Sequence, residues 1–434
     1  MKVGAPDGKK NVYELAMERL DFIFREFDTV CVSFSGGKDS GVLLNLCMDY
    51  IRTHHLNRRL CVFHMDYEVQ YKMTIDYVDR VFRDNADILE VYRVCVPFKV
   101  NTCTSMYQRY WRPWDEAMKE VWVRPMPEGA MTKADFPFYN KSQWDYDFQI
   151  LFARWLHEHR DAVRTCFLVG IRTQESLNRW RSIHMGKKYQ TYHGYSWTWR
   201  VSADVVNAYP IYDWRTTDVW TANGKFKYDY NKLYDLYYRA GVGIERQRVA
   251  SPFLSEAQAS LALYKVIDPD TWGRMIGRVN GVNFTGLYGG THAMGWHSIK
   301  LPEGYTWKEF MYFLLSTLPE DTRNNYLRKL TVSMEFWRKR GGCLSESTIQ
   351  KLLDAGVKLE VMSTTNYRTV KKPVRMEYID DIDIPEFREI PTYKRMCVCI
   401  LKNDHACKYM GFALTREETM RRDRLMEQFK QAML

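Results

Sequence analysis

The first hundred residues alternate between short apolar runs and longer segments in which apolar residues recur with helical spacing. The apolar runs 28–34, 59–65 and 88–96 are rich in Val, Cys, Tyr and Phe, which is typical of buried strands. Between them, 39–52 and 71–83 carry apolar residues along one helical face, which predicts amphipathic helices. Strands that alternate with helices of this length indicate βαβ units and a parallel sheet.

The pattern continues with a fourth strand and then changes character. Residues 146–159 have helical period, and the apolar run 165–171 follows as a predicted strand. Before that helix, residues 100–144 are irregular and contain four tryptophans and four prolines, and proline breaks regular structure. Beyond about residue 247 the alternation stops, and helical patterns appear at 305–317, 321–340, 346–355 and 415–434.

These patterns predict an α/β fold, with a doubly wound parallel sheet, an irregular aromatic-rich insertion and a mainly helical C-terminal domain. We place the first domain at residues 1–245, with the insertion at about 100–145, and the second at 246–434. The length of 434 residues agrees with two or three domains at roughly 150 residues each.

Composition and charge exclude several classes of protein. Hydrophobic residues make up 46% and charged residues 27% of the chain, which argues against disorder. No apolar stretch approaches the roughly 20 residues of a membrane span, and the first ten residues do not have the pattern of a secretory signal. We therefore expect a cytoplasmic protein with reduced cysteines. A net charge of +10 permits a nucleic-acid partner and equally fits a basic protein with a nucleotide site.

The strongest local signal is the turn between the first strand and the first long helix, Ser33-Phe34-Ser35-Gly36-Gly37-Lys38-Asp39-Ser40-Gly41. The two glycines let the backbone turn tightly and bring its N–H groups close to an anion. The helix N-terminus adds its dipole and its free donors, and Lys38 adds a mobile cation. The turn is not a Walker A loop, because Asp39 follows the lysine where that motif has Ser or Thr.

The segment Ser35–Ser40 (SGGKDS) resembles the PP-loop of the ATP pyrophosphatase superfamily, whose members cleave ATP between the α- and β-phosphates. Further segments resemble motifs of ATP sulfurylases and of phosphoadenosine phosphosulfate (PAPS) reductases. They are His64-Met65-Asp66 at the end of the second strand, Gly170–Ser176 with Arg179 beyond it, 209–220 and 230–234. The resemblance covers about residues 25–245 and implies a PP-loop nucleotide-binding fold of the adenine nucleotide alpha hydrolase type.

The resemblance implies a site for ATP or PAPS built from residues of three segments. These residues are Ser33, Ser35, Gly36, Gly37, Lys38, Asp39, Ser40, His64, Asp66, Gly170, Arg172, Glu175 and Arg179. Arg172 and Arg179 suit a phosphate or sulfate because a guanidinium binds oxyanions bidentately. Asp39 and Asp66 are candidate Mg²⁺ ligands, and the alternatives are a helix N-cap and a hydrogen-bonded loop carboxylate. Lys38, Asp39 and Arg172 are the candidate catalytic residues.

The sequence lacks features that the reductases use for their chemistry. It contains no Glu-Cys-Gly-x-His string, and no Cys-Cys pair followed by Cys-x-x-Cys. Since the SGGKDS loop is intact, we expect ATP cleavage with adenylyl transfer to an acceptor, with nucleic acid or a sulfur-transfer substrate as candidates. Two alternatives stay open. One is a sulfonucleotide enzyme that binds or reduces PAPS or adenosine phosphosulfate, and the other is a non-catalytic, nucleotide-dependent regulator.

Over nearly its whole length the chain is similar to PAPS reductase-like proteins of the IbrA type, which are mostly encoded on phages and other mobile elements. Residues 248–253 and 277–284 carry this similarity in the second half. It implies a ParB-like protein partner and a role as a transcriptional co-regulator. The glycine-rich run 281–295 indicates backbone that passes close to a ligand or to another segment, or else a plain connecting loop.

Two clusters leave competing interpretations. Cys397, Cys399, His405 and Cys407 are four donors that could hold Zn²⁺ or an iron–sulfur cluster. Buried thiols and a redox-active Cys407 are the alternatives. The insertion mixes tryptophans with basic residues, as sites for single-stranded nucleic acid or a flipped base do, but packing of an irregular subdomain is the favoured interpretation.

Overall fold

The computed structural model describes residues 10–176, 179–180, 183, 191–254, 257–288, 299–363 and 370–412. The chain divides into two compact units. The first comprises Met1–Val100, Arg112–Pro252 and Leu263–Arg278, and the second comprises Asn101–Trp111, Phe253–Ala262 and Val279–Leu434. The sequence-based domain boundary at residue 245 stays a prediction.

The described helices, in chain order, are α1 (Val12–Glu26), α2 (Lys38–Thr53), α3 (Lys72–Asp84), α4 (Asp145–His159), α5 (Thr216–Phe226), α6 (Leu233–Arg239), α7 (Tyr264–Ile267), α8 (Pro269–Arg278), α9 (Val282–Tyr288), α10 (Trp307–Ser316), α11 (Glu320–Lys339), α12 (Glu346–Asp354) and α13 (Tyr393–Leu401). The strands are β1 (Thr29–Ser33), β2 (Leu60–Met65), β3 (Leu89–Val94), β4 (Val100–Asn101), β5 (Tyr110–Trp111), β6 (Thr165–Val169), β7 (Thr198–Arg200), β8 (Val205–Ala208), β9 (Gly342–Leu344), β10 (Leu359–Val361) and β11 (Lys372–Met376).

The first unit is built on a six-stranded sheet in the order β3-β2-β1-β6-β8-β7. The neighbouring pairs from β3 to β8 are parallel, and only the edge strand β7 runs antiparallel, against β8. The predicted parallel sheet is thereby confirmed, and its four predicted strands correspond to β1, β2, β3 and β6. The hydrophobic pattern did not reveal β7 and β8, because they span only three and four residues.

Alternate residues of the central strands face opposite layers of helices. Val30 and Val32 of β1 belong to a core cluster that includes apolar residues of α1, α2, α3 and α5. On the other face, Phe63 of β2 stacks on Phe152 of α4 with ring centroids 4.1 Å apart. Helices therefore cover both faces, as in a doubly wound fold, and the carboxyl ends of β1, β2 and β6 lie at one edge of the sheet.

A buried ion pair holds the chain that follows β2. Glu68 is fully buried, and its carboxylate accepts two hydrogen bonds from Arg278 of α8, at 2.8 and 3.0 Å. The same carboxylate accepts the backbone N–H groups of Trp114 and Val123, at 2.7 and 3.1 Å. Glu68 thus fastens the irregular segment beyond β3 to the carboxyl edge of the sheet.

The second unit contains helices and a small sheet. Met311 of α10, Tyr326 of α11 and Met396 of α13 share one core. A second core joins Leu344 of β9 and Val374 of β11, which belong to an antiparallel sheet in the order β10-β11-β9. The helical patterns correctly predicted α10, α11 and α12, but they missed this sheet. Its strands β9 and β10 span only three residues each, and β11 contains Lys372 and Pro373, which weaken a strand signal.

Of two expectations for the second half, one falls wholly and the other partly outside the described residues. The predicted helix 415–434 lies outside them, as does the glycine-rich run from Gly289 to Gly295. Within the described part of the run, residues from Val282 onward form α9 rather than a loop. Gly281 has a φ of +79°, and a Cβ atom on it would lie 2.1 Å from the Thr104 carbonyl oxygen, so the expected close backbone approach is present there. Among the described residues, no helix is long and apolar enough to cross a membrane.

Candidate functional site

The turn between β1 and α2 forms the centre of the candidate site. Gly36 has a φ of +75°, and a Cβ atom on it would lie 2.9 Å from a methyl carbon of Val78. Gly37 is the N-cap residue of α2 and offers no side chain to the first turn of the helix. An α-helix has no internal acceptors for its first N–H groups, so the turn presents backbone donors and the positive end of the helix dipole.

Two serines hold the turn in this shape. The Ser35 and Ser40 hydroxyl oxygens are 3.0 Å apart, and the Ser35 N–H lies 3.2 Å from the Ser40 oxygen. The Gly37 N–H donates to the Ser35 hydroxyl at 3.3 Å, and the Ser40 hydroxyl donates to the Gly37 carbonyl at 3.2 Å. These contacts fix the loop from inside, so both predicted serines act first as supports of the backbone. Ser33 is the last residue of β1.

The Lys38 side chain is almost fully buried beside the loop. Its ammonium lies 3.1 Å from the Asp39 carboxylate and donates to the Gln247 carbonyl at 3.2 Å. Burial lowers the pKa of Lys38, while the charge of Asp39 acts in the opposite direction. The structure therefore places a desolvated cation next to the backbone donors of the turn.

Arg172 reaches the same point from the end of β6. It is 1% exposed, and its Nε donates to Asp39 Oδ1 at 2.6 Å. A second carboxylate, that of Glu175, lies 3.7 Å from its Nη2. The structure thus brings together Lys38, Asp39 and Arg172, the three residues predicted to be catalytic.

Gly170 explains how the chain after β6 can come so close to the loop. A Cβ atom at this position would lie 2.9 Å from the backbone nitrogen of Ser40 and 3.0 Å from the carbonyl carbon of Asp39. Only a glycine leaves room for the two backbones to pass at this distance. The requirement for Gly170 is therefore steric, and the same approach brings Arg172 to Asp39.

Glu175 and Arg179 are linked to the turn through Arg172, which lies between Glu175 and Asp39. They form an ion pair with each other, and the Glu175 carbonyl accepts a hydrogen bond from Arg248 at 2.9 Å. The Arg179 side chain is 37% exposed, in contrast to the buried Arg172. Arg179 is therefore accessible from solvent, and its predicted contact with an oxyanion stays a prediction.

His64 lies near the end of β2, which pairs with β1, the strand that leads into the phosphate loop. Its Nδ1 is 2.8 Å from the Phe34 carbonyl oxygen, which fixes the tautomer with the proton on Nδ1. Its Nε2 is buried without a hydrogen-bond partner. Burial lowers the pKa of His64 to about 4, so the ring is neutral near pH 7.

Asp66 differs from the expectation that it binds Mg²⁺. Its carboxylate is fully buried, with one oxygen paired with Arg124 and the other 3.1 Å from Arg93. Burial alone raises the pKa of Asp66, but the charges around it, above all Arg124, hold the pKa below its usual value. The two arginines take the place of a metal ion, so the structure does not support Asp66 as a ligand. Asp39 remains a predicted Mg²⁺ ligand.

The structure adds three residues that sequence reasoning did not assign to the site. Lys38 N–H donates to the Tyr234 hydroxyl at 2.9 Å, and Asn231 donates to the Gly36 carbonyl at 3.1 Å. Gln247 supplies the carbonyl that accepts from the Lys38 ammonium. Tyr234 and Asn231 lie in the segment 230–234, whose resemblance to the reductases was the only signal that could have pointed to them.

The late cysteines do not form a metal site. Cys397 and Cys399 are buried in the core on α13, and Cys407 is buried as well. His405 places its Nε2 3.0 Å from the Ser105 carbonyl oxygen. Within the part of the chain that the structure describes, no group of three or more His, Cys, Asp or Glu side chains could hold a metal ion. Burial raises the pKa of Cys397 to about 12, which disfavours a reactive thiolate there, and the full burial of Cys407 does not favour a redox role.

The aromatic residues of the insertion are largely occupied with packing. Trp111 and Trp114 are among the largest fully buried side chains, and Trp114 donates its ring N–H to the Asp66 carbonyl at 2.6 Å. Arg124 lies over the Trp114 ring and pairs with Asp66. These residues form internal contacts, so the packing interpretation is supported and the insertion gives no support to nucleic-acid binding.

Comparison with protein families divides the chain into two matched regions. Residues 29–243 match the model described as the phosphoadenosine phosphosulfate reductase domain. Residues 241–421 match the model described as a domain of unknown function, DUF3440. The chain is also 32% identical over 417 residues to the uncharacterized protein YbdN of Escherichia coli (strain K12), an alignment that covers 95% of this chain and 93% of that protein.

Solved structures give more distant similarities. The phosphoadenylyl-sulfate reductase of Candida auris in a phosphate complex is 14% identical with a TM-score of 0.29, covering 53% of this chain and 87% of that one. The FMN adenylyltransferase of Candida glabrata with ATP is 13% identical with a TM-score of 0.30, covering 54% and 62%. The U34-tRNA thiolase NcsA of Methanococcus maripaludis is 11% identical with a TM-score of 0.30, covering 63% and 78%. Similarities of this size do not bear on the activity of this chain, and assignment to the IbrA type stays a prediction.

Proposed function

Because the chain belongs to the family of PP-loop proteins with a phosphoadenosine phosphosulfate reductase domain, we propose that it binds ATP at the turn before α2 and cleaves it between the α- and β-phosphates. The adenylyl group then passes to an acceptor oxygen, and pyrophosphate leaves. The bond that forms joins the acceptor oxygen to the α-phosphorus, and the bond that breaks joins the α-phosphorus to the oxygen bridging to the β-phosphate.

The observation that carries this proposal is the convergence of donors at the loop. The N-terminus of α2, whose N-cap residue Gly37 has no capping side chain, the ammonium of Lys38 and the guanidinium of Arg172 meet around Asp39. Backbone N–H groups at a helix N-terminus bind phosphate, and fixed cations stabilise the charge that develops on a departing pyrophosphate. Lys38, Asp39 and Arg172 already lie together at the turn, so a bound nucleotide exchanges hydrogen-bond partners there and does not have to assemble the site.

Each residue has a separate role in this proposal. The loop amides bind the phosphates, and Lys38 neutralises the charge that accumulates on the leaving group. Arg172 orients Asp39, whose carboxylate is the remaining candidate for holding Mg²⁺. Bound together with the nucleotide, Mg²⁺ would supply further charge neutralisation at the phosphate oxygens.

The direct test incubates the protein with candidate acceptors and ATP that is radioactively labelled at the α-phosphate, and identifies the labelled products. The expected products are labelled AMP or an adenylylated acceptor, together with unlabelled pyrophosphate. Labelled ADP would contradict the proposal, because it requires cleavage between the β- and γ-phosphates. We expect Lys38→Gln to lower turnover about 100-fold or more, as removal of a group that stabilises transition-state charge does. Lys72→Gln, on the exposed side of α3, is the matched control.

The match to the reductase domain favours a second candidate, a site for PAPS or adenosine phosphosulfate. Calorimetry with ATP, PAPS and adenosine 3′,5′-bisphosphate separates the two. Preference for ATP supports adenylyl transfer, whereas preference for both 3′-phosphorylated ligands supports the sulfonucleotide site. Nucleotide binding without any turnover in the presence of candidate acceptors would favour a regulator that uses the nucleotide as a switch.

A further inference from the structure

The Tyr234 side chain lies against the phosphate loop, next to Gly37 and Lys38. It belongs to α6, is 2% exposed, and its hydroxyl oxygen accepts the backbone N–H of Lys38 at 2.9 Å. A Cβ atom on Gly37 would lie 3.4 Å from the same hydroxyl oxygen. The phenol therefore stands directly over the second loop glycine and uses a backbone donor at the start of α2.

Two further contacts come to the loop from the same stretch of chain. Asn231 donates to the Gly36 carbonyl at 3.1 Å, and the Gln247 carbonyl accepts from the Lys38 ammonium at 3.2 Å. The Lys38 ammonium also lies 5.6 Å from the centre of the Tyr234 ring. Residues 231–247 thus engage the backbone donor and the side-chain cation of Lys38, the groups to which we assign the phosphates.

A phosphate at this loop and the Tyr234 hydroxyl require the same donor. Hydrogen bonds to a charged oxygen are about twice as strong as those between neutral groups, so a phosphate oxygen replaces a neutral phenol at a backbone N–H. Burial raises the pKa of Tyr234 well above its usual value, so the phenol stays neutral and cannot imitate the charge of the anion.

We propose that the Tyr234 hydroxyl holds the place of a phosphate oxygen on the Lys38 N–H, and that a bound pyrophosphate group displaces it. This inference rests on the proposed function and deepens it. Nucleotide binding is then coupled to the position of residues 231–247. Tyr234 is a positioning residue: it keeps the phosphate loop in its preformed shape when no nucleotide is bound, and it lowers the affinity for the nucleotide because its hydroxyl must be displaced.

The test compares Tyr234→Phe with Tyr230→Phe in the full-length chain. Both rings pack edge-on against Trp220, but the Tyr230 hydroxyl donates to Asp235 at 3.0 Å rather than to the loop. Calorimetry with inorganic pyrophosphate and with ATP gives the dissociation constants. We expect Tyr234→Phe to bind pyrophosphate about 3- to 10-fold more tightly than the wild type, the range that corresponds to removing one competing hydrogen bond. Tyr230→Phe should match the wild type.

Other outcomes overturn the inference. If Tyr234→Phe binds more weakly, the hydroxyl is a direct ligand of the nucleotide, and if it matches Tyr230→Phe, the hydroxyl does not compete. In either case the wild type still binds, so neither result counts against the proposed function. If the wild type binds neither ATP nor pyrophosphate, the proposed function fails and this inference fails with it.

A measurement on the wild type keeps the inference testable if Tyr234→Phe does not fold. Amide hydrogen exchange in residues 231–247 should become faster when the protein is saturated with pyrophosphate, because the contacts of Tyr234 and Gln247 with Lys38 are released. Unchanged or slower exchange in this segment at saturation would contradict displacement.

Discussion

Arg172 Nε lies 2.6 Å from Asp39 Oδ1, and this ion pair joins the end of β6 to the first turn of α2. The two residues are 133 positions apart in the sequence. Their side chains are only 2% and 14% exposed, so the pair is shielded from solvent and sensitive to the loss of either partner. It ties the shape of the phosphate loop to the position of the neighbouring strand.

The two single variants should therefore together lose more stability than the double variant does, because each of them leaves the other partner unpaired. We expect Asp39→Asn and Arg172→Gln each to lower the free energy of unfolding by about 2–3 kcal/mol, because each leaves a buried charge with a weaker partner. The double variant should lose about 1–2 kcal/mol less than the sum. Urea unfolding of the four proteins measures this coupling, and strictly additive losses would show that the pair is not energetically linked.

Gly170→Ala tests the close approach of the two backbones. The added methyl group would lie 2.9 Å from the Ser40 nitrogen, so either β6 or the loop must shift. We expect a loss of about 1–3 kcal/mol in the free energy of unfolding, as in other overpacked sites, together with at least 10-fold weaker ATP binding. Gly224→Ala is the control, since nothing lies within 4 Å of the added atom and alanine stabilises a helix interior by up to about 1 kcal/mol. Equal behaviour of the two variants would refute the steric role of Gly170.

Glu68→Gln tests the anchor of the irregular segment beyond β3. The variant leaves the buried guanidinium of Arg278 without its counter-charge, and breaking a buried pair in this way costs about 3–5 kcal/mol. Thermal unfolding should show a clear drop in the melting temperature. The exposed pair of Lys72 and Asp76 provides the control, because Asp76→Asn should cost less than about 0.5 kcal/mol. A loss as small as that control at Glu68 would contradict the anchoring role.

The burial of His64 predicts a loss of stability in acid. Its pKa of about 4 lies below the value of about 6.5 for an exposed histidine, so the unfolded chain takes up a proton that the folded chain excludes. Stability is therefore fully present above pH 6.5 and falls as the pH drops toward 4. We expect this residue alone to contribute a loss of about 2 kcal/mol between pH 7.5 and pH 5.

His64→Asn is the variant that isolates this effect. Its amide can still donate toward the Phe34 carbonyl, but it does not titrate. The unfolding free energy of the variant should fall less steeply than that of the wild type over the same pH range. His405, whose pKa burial also lowers to about 4, remains in both proteins and cancels in the comparison. Parallel pH profiles would show that His64 does not contribute.

Much of the first unit could be predicted because its signals are local. The apolar runs that became β1, β2, β3 and β6 are five or six residues long, which is enough for a pattern to emerge. The strands β7, β8 and β9 are shorter, and β11 contains Lys372 and Pro373, which weaken a strand signal. Such strands form because a neighbouring strand offers its hydrogen-bonding edge, a condition that no local window contains.

The same distinction applies to the site. The sequence identified the loop and Lys38 because a strand, a glycine turn and a helix start follow one another directly, whereas Arg172 was identified through the resemblance of its segment to the PAPS reductases. It suggested a metal role for Asp66, where the fold instead supplies two arginines from distant segments. A carboxylate in a motif has no fixed partner until the chain around it is folded.

The amino-acid sequence by itself determined the parallel α/β order, the glycine turn and the cation that follows it, since these depend on backbone preferences over a few residues. Only the tertiary structure decided which groups meet at that turn: Arg172 opposite Asp39, and Tyr234 over the N–H of Lys38 from 196 residues away. Contacts between residues so far apart in the sequence depend on how the whole core packs. Charge and hydrogen-bonding capacity alone would allow several partners for each group, and burial together with close backbone approach, as at Gly170, determines which of them meet.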